Sequence, residues 1–271
     1  MKITIAGGDR RMKTVAELFI KNGFDCNTEE IKTKSRLLSE INASDAVLLP
    51  MPCSKNGFLN SPFANDDVLI EEVFSAGNEK TLFLGGMIPK SEKNAIDYAF
   101  SEEFLIKNAV LTAEGALEIA MREMKTALHG SNLLIVGFGR IGSYLAKILK
   151  ELGASTVVVA RSEKSKANAE ISGHKVIGTD GLASALPFAD AVFNTVPSIL
   201  FNENELSALK KGAFIIDLAS LPGGVDFNSA EKLGVKAIHA LGLPGKYAPE
   251  TAGKIIFEAA MTILRERGIT V

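Results

Sequence analysis

The chain is poor in the residue types from which metal centres and disulfide frameworks are built. Its 271 residues include 2 cysteines and 3 histidines. Cys26 and Cys53 lack metal-ligand spacing and sit in or just after apolar strands, so they read as reduced structural thiols, and no metal site is expected. Long apolar runs are missing too, since nothing approaches the roughly 20 continuous apolar residues that span a bilayer. Met1 leads straight into a β-rich segment rather than a signal sequence, and the expectation is a cytoplasmic protein with no membrane partner. Charge of one sign is also lacking: the formal net charge is −2, spread without long runs, which leaves no electrostatic footprint for nucleic acid. What is present is apolar mass, at 46% of residues, enough for two packed cores in a chain of this length.

The chain is organised around residues 133–142, an apolar run that breaks into Gly137-Phe138-Gly139-Arg140-Ile141-Gly142 and opens onto a helical stripe. Gly137 permits a sharp turn, Gly139 lets the backbone approach a pyrophosphate, and Gly142 lets the helix pack close to the strand. The helix N-terminus offers free N–H groups to the phosphates. The helix over 141–152 leads to a strand over 156–160, which ends in Ala160, Arg161 and Ser162, where an NAD site usually carries an acid. A guanidinium and a hydroxyl suit a 2′-phosphate that a carboxylate would repel, so the expected cofactor is NADP, with NAD as the second choice. Lys166 flanks that position. Further strands over 191–194 and 213–217 run into Thr195-Val196-Pro197 and Leu218-Ala219-Ser220, at the edge where the nicotinamide ribose would lie.

The first third alternates strands over 2–6, 24–27, 46–49 and 81–84 with helical stretches, which implies a second parallel sheet. Its carboxyl edge should gather the loops 8–11, 50–54 and 85–90. There Arg10 and Arg11, at a helix start, could hold a carboxylate, while Asp9 caps the helix or serves the chemistry. Pro52 and Ser54 lie in a proline-stiffened loop past a buried strand. The spacing predicts a connecting helix over 112–128, with Thr112 as its cap and Glu114 in its first turn, either a helix-start acid or a group facing the cleft. The fold class expected is α/β with two doubly wound parallel-sheet domains, one flavodoxin-like and one Rossmann. Their boundaries fall at 1–128 plus a returning C-terminal helix 249–271, and at 129–248, with hinges near 128 and Lys246.

The strings Gly7-Gly8-Asp9-Arg10-Arg11, Leu49-Pro50-Met51-Pro52, Thr112-Ala113-Glu114-Gly115-Ala116, Asn194-Thr195-Val196-Pro197, Asp217-Leu218-Ala219-Ser220 with Pro222-Gly223-Gly224, and Gly242-Leu243-Pro244-Gly245-Lys246 extend over essentially the whole chain. Together with the glycine motif, they resemble the family of dipicolinate synthase A subunits, whose second loop often reads Leu-Pro-x-Pro-Pro; Cys53 stands in place of the last of those prolines. The resemblance implies NADP-dependent oxidation of a dihydrodipicolinate-type cyclic dicarboxylate to dipicolinate in the mother cell of a sporulating bacterium, and the flavoprotein-like B subunit of dipicolinate synthase as partner. Two carboxylates call for cations, for which Arg10, Arg11 and Lys246 are candidates, with Ser54 and Thr112 as neutral donors. Candidate proton acceptors are Glu114, Asp9 and His239, the last in mid-strand, where a satisfied core histidine is the blander reading. A dehydrogenase of another small hydroxy or keto acid, or an NADP-binding assembly protein without turnover, would share the cofactor features. A homo-oligomer is compatible with all three.

Overall fold

The computed structural model describes residues 1–27, 31–92 and 94–269. The chain divides into two compact units, Met1–Asn108 with Gly245–Val271, and Ala109–Pro244. The last two residues of the first unit lie outside the described residues.

In the first unit the chain runs through β1 (Lys2–Ile5), α1 (Arg10–Lys21), β2 (Asp25–Cys26), α2 (Lys34–Asn42) and β3 (Ala46–Leu48). A hairpin of β4 (Ser54–Lys55) and β5 (Phe58–Leu59) follows, then α3 (Ile70–Ser75), β6 (Leu82–Gly85) and β7 (Ala95–Asp97). The sheet order is β2-β1-β3-β6-β7, with every pair parallel, a flavodoxin-like order with the hairpin inserted after the third strand. The hairpin was not expected from the sequence. Its turn residues Asn56 and Gly57 have φ of 52° and 84°, the left-handed pair that a two-residue hairpin loop requires.

The C-terminal helix α11 (Pro249–Glu266) lies against α1 in this unit. Gly253 sits where a Cβ would come within 2.5 Å of the Arg11 carbonyl oxygen, so only glycine allows the two helices to approach this closely. Beside it Phe257 meets the fully buried Phe19 edge-on at 5.0 Å, and Phe19 meets Phe24 at 5.4 Å. Pairs of this kind add about 0.5–1.5 kcal/mol each beyond their buried area. The returning segment is thereby part of the first unit's core.

A single long helix, α4 (Glu102–Glu123), carries the chain from one unit to the next. It starts ten residues earlier than the spacing predicts, because Ser101 acts as its cap: the Phe104 amide donates to Ser101 Oγ, and Glu102 and Glu103 fill the first turn. Thr112 is therefore a buried mid-helix residue and Glu114 is remote from the helix dipole. Ala113, Ala116, Leu117 and Ala120 pack into the second unit's core, so the units part at residues 108 and 109 rather than near 128. Leu128 shares that core without being helical, which is how its spacing misled.

The second unit holds β8 (Asn132–Val136), α5 (Arg140–Glu151), β9 (Ser155–Val159), α6 (Glu163–Ile171), β10 (Lys175–Ile177), α7 (Leu182–Ala185), β11 (Ala191–Asn194), α8 (Glu203–Ala208), β12 (Phe214–Asp217), α9 (Phe227–Leu233) and β13 (Lys236–His239). The short α10 (Leu243–Tyr247) begins as this unit ends. Its sheet order, β10-β9-β8-β11-β12-β13, is all parallel and doubly wound, with the switch point between β8 and β11. Leu133, Ile135, Phe193 and Ile216 face a core shared with α4 and α5, while Leu134, Val192 and Ile215 face one shared with α7, α8 and α9. Burial on both faces is why these strands read as unbroken apolar runs.

Candidate dinucleotide site and N-terminal loop cluster

At the switch point the three motif glycines differ in what they permit. Gly137 has φ +98°, and a Cβ there would stand 2.2 Å from Thr195 Oγ1. At Gly142 a Cβ would fall 2.1 Å from the Gly137 carbonyl oxygen, so the first turn of α5 rests directly on the loop backbone. Gly139 meets nothing within 4 Å and caps α5 without any side-chain acceptor. The loop thus presents bare backbone and an uncapped helix start, with no acid in the first turn of α5. Those are the requirements for a pyrophosphate, and the residues present fit a nicotinamide dinucleotide. Thr195 supports the turn from beneath, its hydroxyl donating to the Val136 carbonyl at 2.9 Å. Phe138 points away into the core and meets the His174 ring edge-on.

Next to this, β9 is followed by buried Ala160 and exposed Arg161, which makes no hydrogen bond or ion pair among the described residues. Ser162 caps α6, accepting from the Ser165 amide at 3.2 Å. Lys166 turns to Glu163 at 2.9 Å and is less available than its position in the sequence implies.

On the other side of the switch point, the strand ends carry polar groups whose mutual pairing sequence reasoning did not find. Asn194, Asp217 and His239 are register partners at the carboxyl ends of β11, β12 and β13. Asn194 and Asp217 are both fully buried. Asn194 Nδ2 donates to Asp217 Oδ1 at 2.7 Å, the Ala219 amide donates to the same oxygen at 3.2 Å, and the Gly224 amide donates to Oδ2 at 2.8 Å. The signal in the sequence was two apolar strands each closing on a polar residue, Val-Phe-Asn and Ile-Ile-Asp. His239 is the last residue of its strand rather than a mid-strand core residue. Its ring stacks on Phe227 at 5.2 Å, and Nε2 lies 3.2 Å from the Ala219 carbonyl oxygen. A carbonyl only accepts, so Nε2 is the donor in this contact, and Nδ1 makes no hydrogen bond among the described residues.

In the first unit, hydrogen bonds knit together the three loops expected on one edge. The Gly8 amide donates to the Asn60 carbonyl at 2.8 Å, Asn60 Nδ2 to the Pro52 carbonyl at 2.9 Å, and the Cys53 amide to the Gly86 carbonyl at 2.8 Å. Met51-Pro52 is cis. Arg11 is engaged here: Nε and Nη2 donate to the two Asp9 oxygens at 2.8 and 3.0 Å, and Nη2 also to the Met51 carbonyl at 2.7 Å. Asp9 in turn caps α1 through the Arg11 amide. Burial raises the Asp9 carboxyl, but the hydrogen bonds and charge of Arg11 outweigh it and hold its pKa below the usual carboxylate range. Arg11 is thus a loop clamp paired with an acid, and Asp9 takes the capping role of the two expected for it, as a carboxylate that is a poor proton acceptor. Gly245 closes over the pair, since a Cβ there would meet Arg11 Nε and Asp9 Oδ2 at 3.0 Å.

Arg10 and Lys246 are exposed and without ion-pair partners among the described residues, and Ser54 lies on β4 at the hairpin. Glu114, half-buried in mid-helix, makes no hydrogen bond or ion pair among the described residues. Burial pushes the Cys26 thiol up to about 12, with the Asp25 charge adding to it, and raises Cys53 as well, which keeps both thiols protonated. Among the described residues no helix is long and apolar enough to cross a membrane, and no cluster of metal-ligating side chains is found.

Residues 2–100 match the model of the N-terminal domain of the dipicolinate synthase A subunit, and residues 107–220 match that of the NAD binding domain of D-isomer specific 2-hydroxyacid dehydrogenases. The dipicolinate synthase A subunit of Bacillus subtilis (strain 168) is 29% identical over 98% of this chain and 96% of its own length. The crystal structure of the dipicolinate synthase A subunit from Bacillus halodurans superposes with a TM-score of 0.85 at 27% identity, covering 97% of both chains. That of its counterpart from Bacillus subtilis gives 0.85 at 28% identity, covering 98% of this chain and 96% of the other.

Proposed function

We propose that the chain is a member of the family of dipicolinate synthase A subunits, to which it is similar over nearly its whole length, and that it oxidises a dihydrodipicolinate-type cyclic dicarboxylate to dipicolinate with NADP. The observation that carries this reading is a match extending over both units, so that the N-terminal loop cluster and the dinucleotide cradle occur in one chain. A bound nicotinamide supplies the hydride acceptor, and loss of a proton alongside makes the ring aromatic. Orientation is then the protein's main task. Gly137, Gly139 and Gly142 hold the pyrophosphate, with Arg161 and Ser162 on the 2′-phosphate. Arg10 and Lys246, which pair with no acid among the described residues, bind substrate carboxylates, while Arg11 holds the cis-proline loop in shape. The proton goes to His239 Nδ1, in preference to the ion-paired Asp9 or to Glu114. The B subunit, in the mother-cell cytoplasm, completes the synthase.

The test uses the purified chain with its partner protein, NADP, and either dihydrodipicolinate or simple 2-hydroxy acids. Reduced nicotinamide and dipicolinate should accumulate together from the first substrate, and Arg10→Ala should lower kcat/KM at least about tenfold with unchanged NADP affinity. Equal turnover of the hydroxy acids would replace this reading with a general dehydrogenase.

A further inference from the structure

We infer that the buried Asp217 carboxylate makes this chain select the oxidised over the reduced nicotinamide, with Asn194 as the residue that orients it. The inference rests on the dinucleotide reading above. If Arg161 and Ser162 take the adenosine end beyond β9, a dinucleotide crossing the switch point lays its nicotinamide half over the carboxyl ends of β11, β12 and β13. Asp217 closes the middle strand of those three. The backbone of the following loop is drawn down onto it. A Cβ on Gly223 would stand 2.7 Å from Asp217 Oδ2 and 3.4 Å from His239 Nε2, and one on Gly224 would fall 2.1 Å from Asn194 Nδ2.

Every group donating to Asp217 is a neutral amide, and among the described residues no lysine or arginine pairs with it. The three amide donors bring no net charge to cancel that of the carboxylate, and a fully buried charge acts through a weaker dielectric than a solvated one. The oxidised nicotinamide ring carries one positive charge. Taking up a hydride, two electrons with one proton, leaves the reduced ring neutral. A fixed negative charge beneath that edge therefore attracts the first form and is indifferent to the second. Hydrogen bonding and shape alone would not distinguish them by charge.

Calorimetric titration of the intact chain with NADP and with NADPH tests this, in the unsubstituted protein and in Asp217→Asn. The unsubstituted protein should bind the oxidised form more tightly, and the substitution should move the ratio of the two affinities about tenfold toward the reduced form. That corresponds to raising the bound couple's potential by about 30 mV. A purely structural Asp217 would weaken both forms alike, and a ratio unchanged within about twofold overturns the inference. Should Asp217→Asn fail to fold, the unsubstituted protein decides: tighter binding of NADP supports the inference, and equal or tighter binding of NADPH overturns it. Failure to bind either form would instead remove the dinucleotide reading beneath it.

Discussion

Gly7-Gly8-Asp9-Arg10 and Gly137-Phe138-Gly139-Arg140 are the same device, a glycine turn between the first strand of a parallel sheet and its first helix, yet one is closed and the other open. In the first, Asp9 puts its own carboxylate on the start of α1, and Gly8 is walled in, since a Cβ there would meet Met12 Cγ at 2.2 Å and Pro50 Cβ at 3.3 Å. In the second, α5 starts on an uncapped glycine that faces open space. Glycine content and strand–turn–helix order do not distinguish them. The residue at the cap does: a built-in acid satisfies the helix start internally, whereas a bare glycine leaves it for an anion from outside.

The largest effect is expected from breaking the open turn. Gly142→Ala places a methyl 2.1 Å from the Gly137 carbonyl oxygen, a backbone atom that cannot give way, so the loop or α5 must shift. Overpacking of this severity costs about 3 kcal/mol or more. Gly139→Ala meets nothing and should leave the thermal midpoint nearly unchanged, yet weaken dinucleotide binding because its methyl occupies the space the phosphates approach. Melting curves and titrations on both variants separate fold from ligand. If Gly142→Ala melts like the parent, the close approach of α5 to its turn is not what holds the loop.

A smaller loss, about 2 kcal/mol, should follow from opening the closed turn with Asp9→Ala, which removes the α1 cap and strands the guanidinium of Arg11. The sign of its pH dependence follows from the ion pair. Arg11 lowers the Asp9 pKa in the folded protein, against the opposing effect of burial, so the stabilisation is present above the ordinary carboxylate range and is lost as pH falls through the depressed value. Urea midpoints taken from neutral pH downward should therefore draw together for parent and variant as the pH falls below the ordinary carboxylate range. A gap that stays constant throughout would mean that the pair contributes nothing and the cap everything.

Much of this molecule was legible in its sequence because its central strands are short and buried on both faces, and several of them run within a few residues into glycine or proline. Both sheets, the returning C-terminal helix and the dinucleotide cradle follow from that pattern. Side-chain partnerships were not legible. Arg10 and Arg11 are adjacent and chemically identical, and only the fold brings the Met51 carbonyl and Gly245 to the second of them. Glu114 looked like a helix-start acid because Thr112 is a good cap, whereas Ser101 had already started that helix. Asn194 and Asp217 lie 23 residues apart and become one polar unit only through the pairing of β11 with β12.

The smallest effect concerns what the open turn accepts beyond the pyrophosphate. Arg161 stands exposed at the end of β9 with no acid to neutralise it among the described residues, and Ser162 beside it begins α6. Lys166, the other nearby cation, is tied to Glu163 and adds little. One charge-assisted contact to a 2′-phosphate is worth about 1–2 kcal/mol after solvent screening, roughly a tenfold preference for NADP over NAD. Arg161→Asp exchanges that attraction for repulsion and offers an acceptor to a free 2′-hydroxyl, so the preference should invert while the glycine turn at Gly137, Gly139 and Gly142 is left unaltered. Parallel titrations with NAD and NADP at low and high salt read this directly, because an exposed guanidinium should lose most of its discrimination as salt rises. Equal affinities for the two cofactors in the unsubstituted protein would leave the open turn selective for a dinucleotide but blind to its 2′ position.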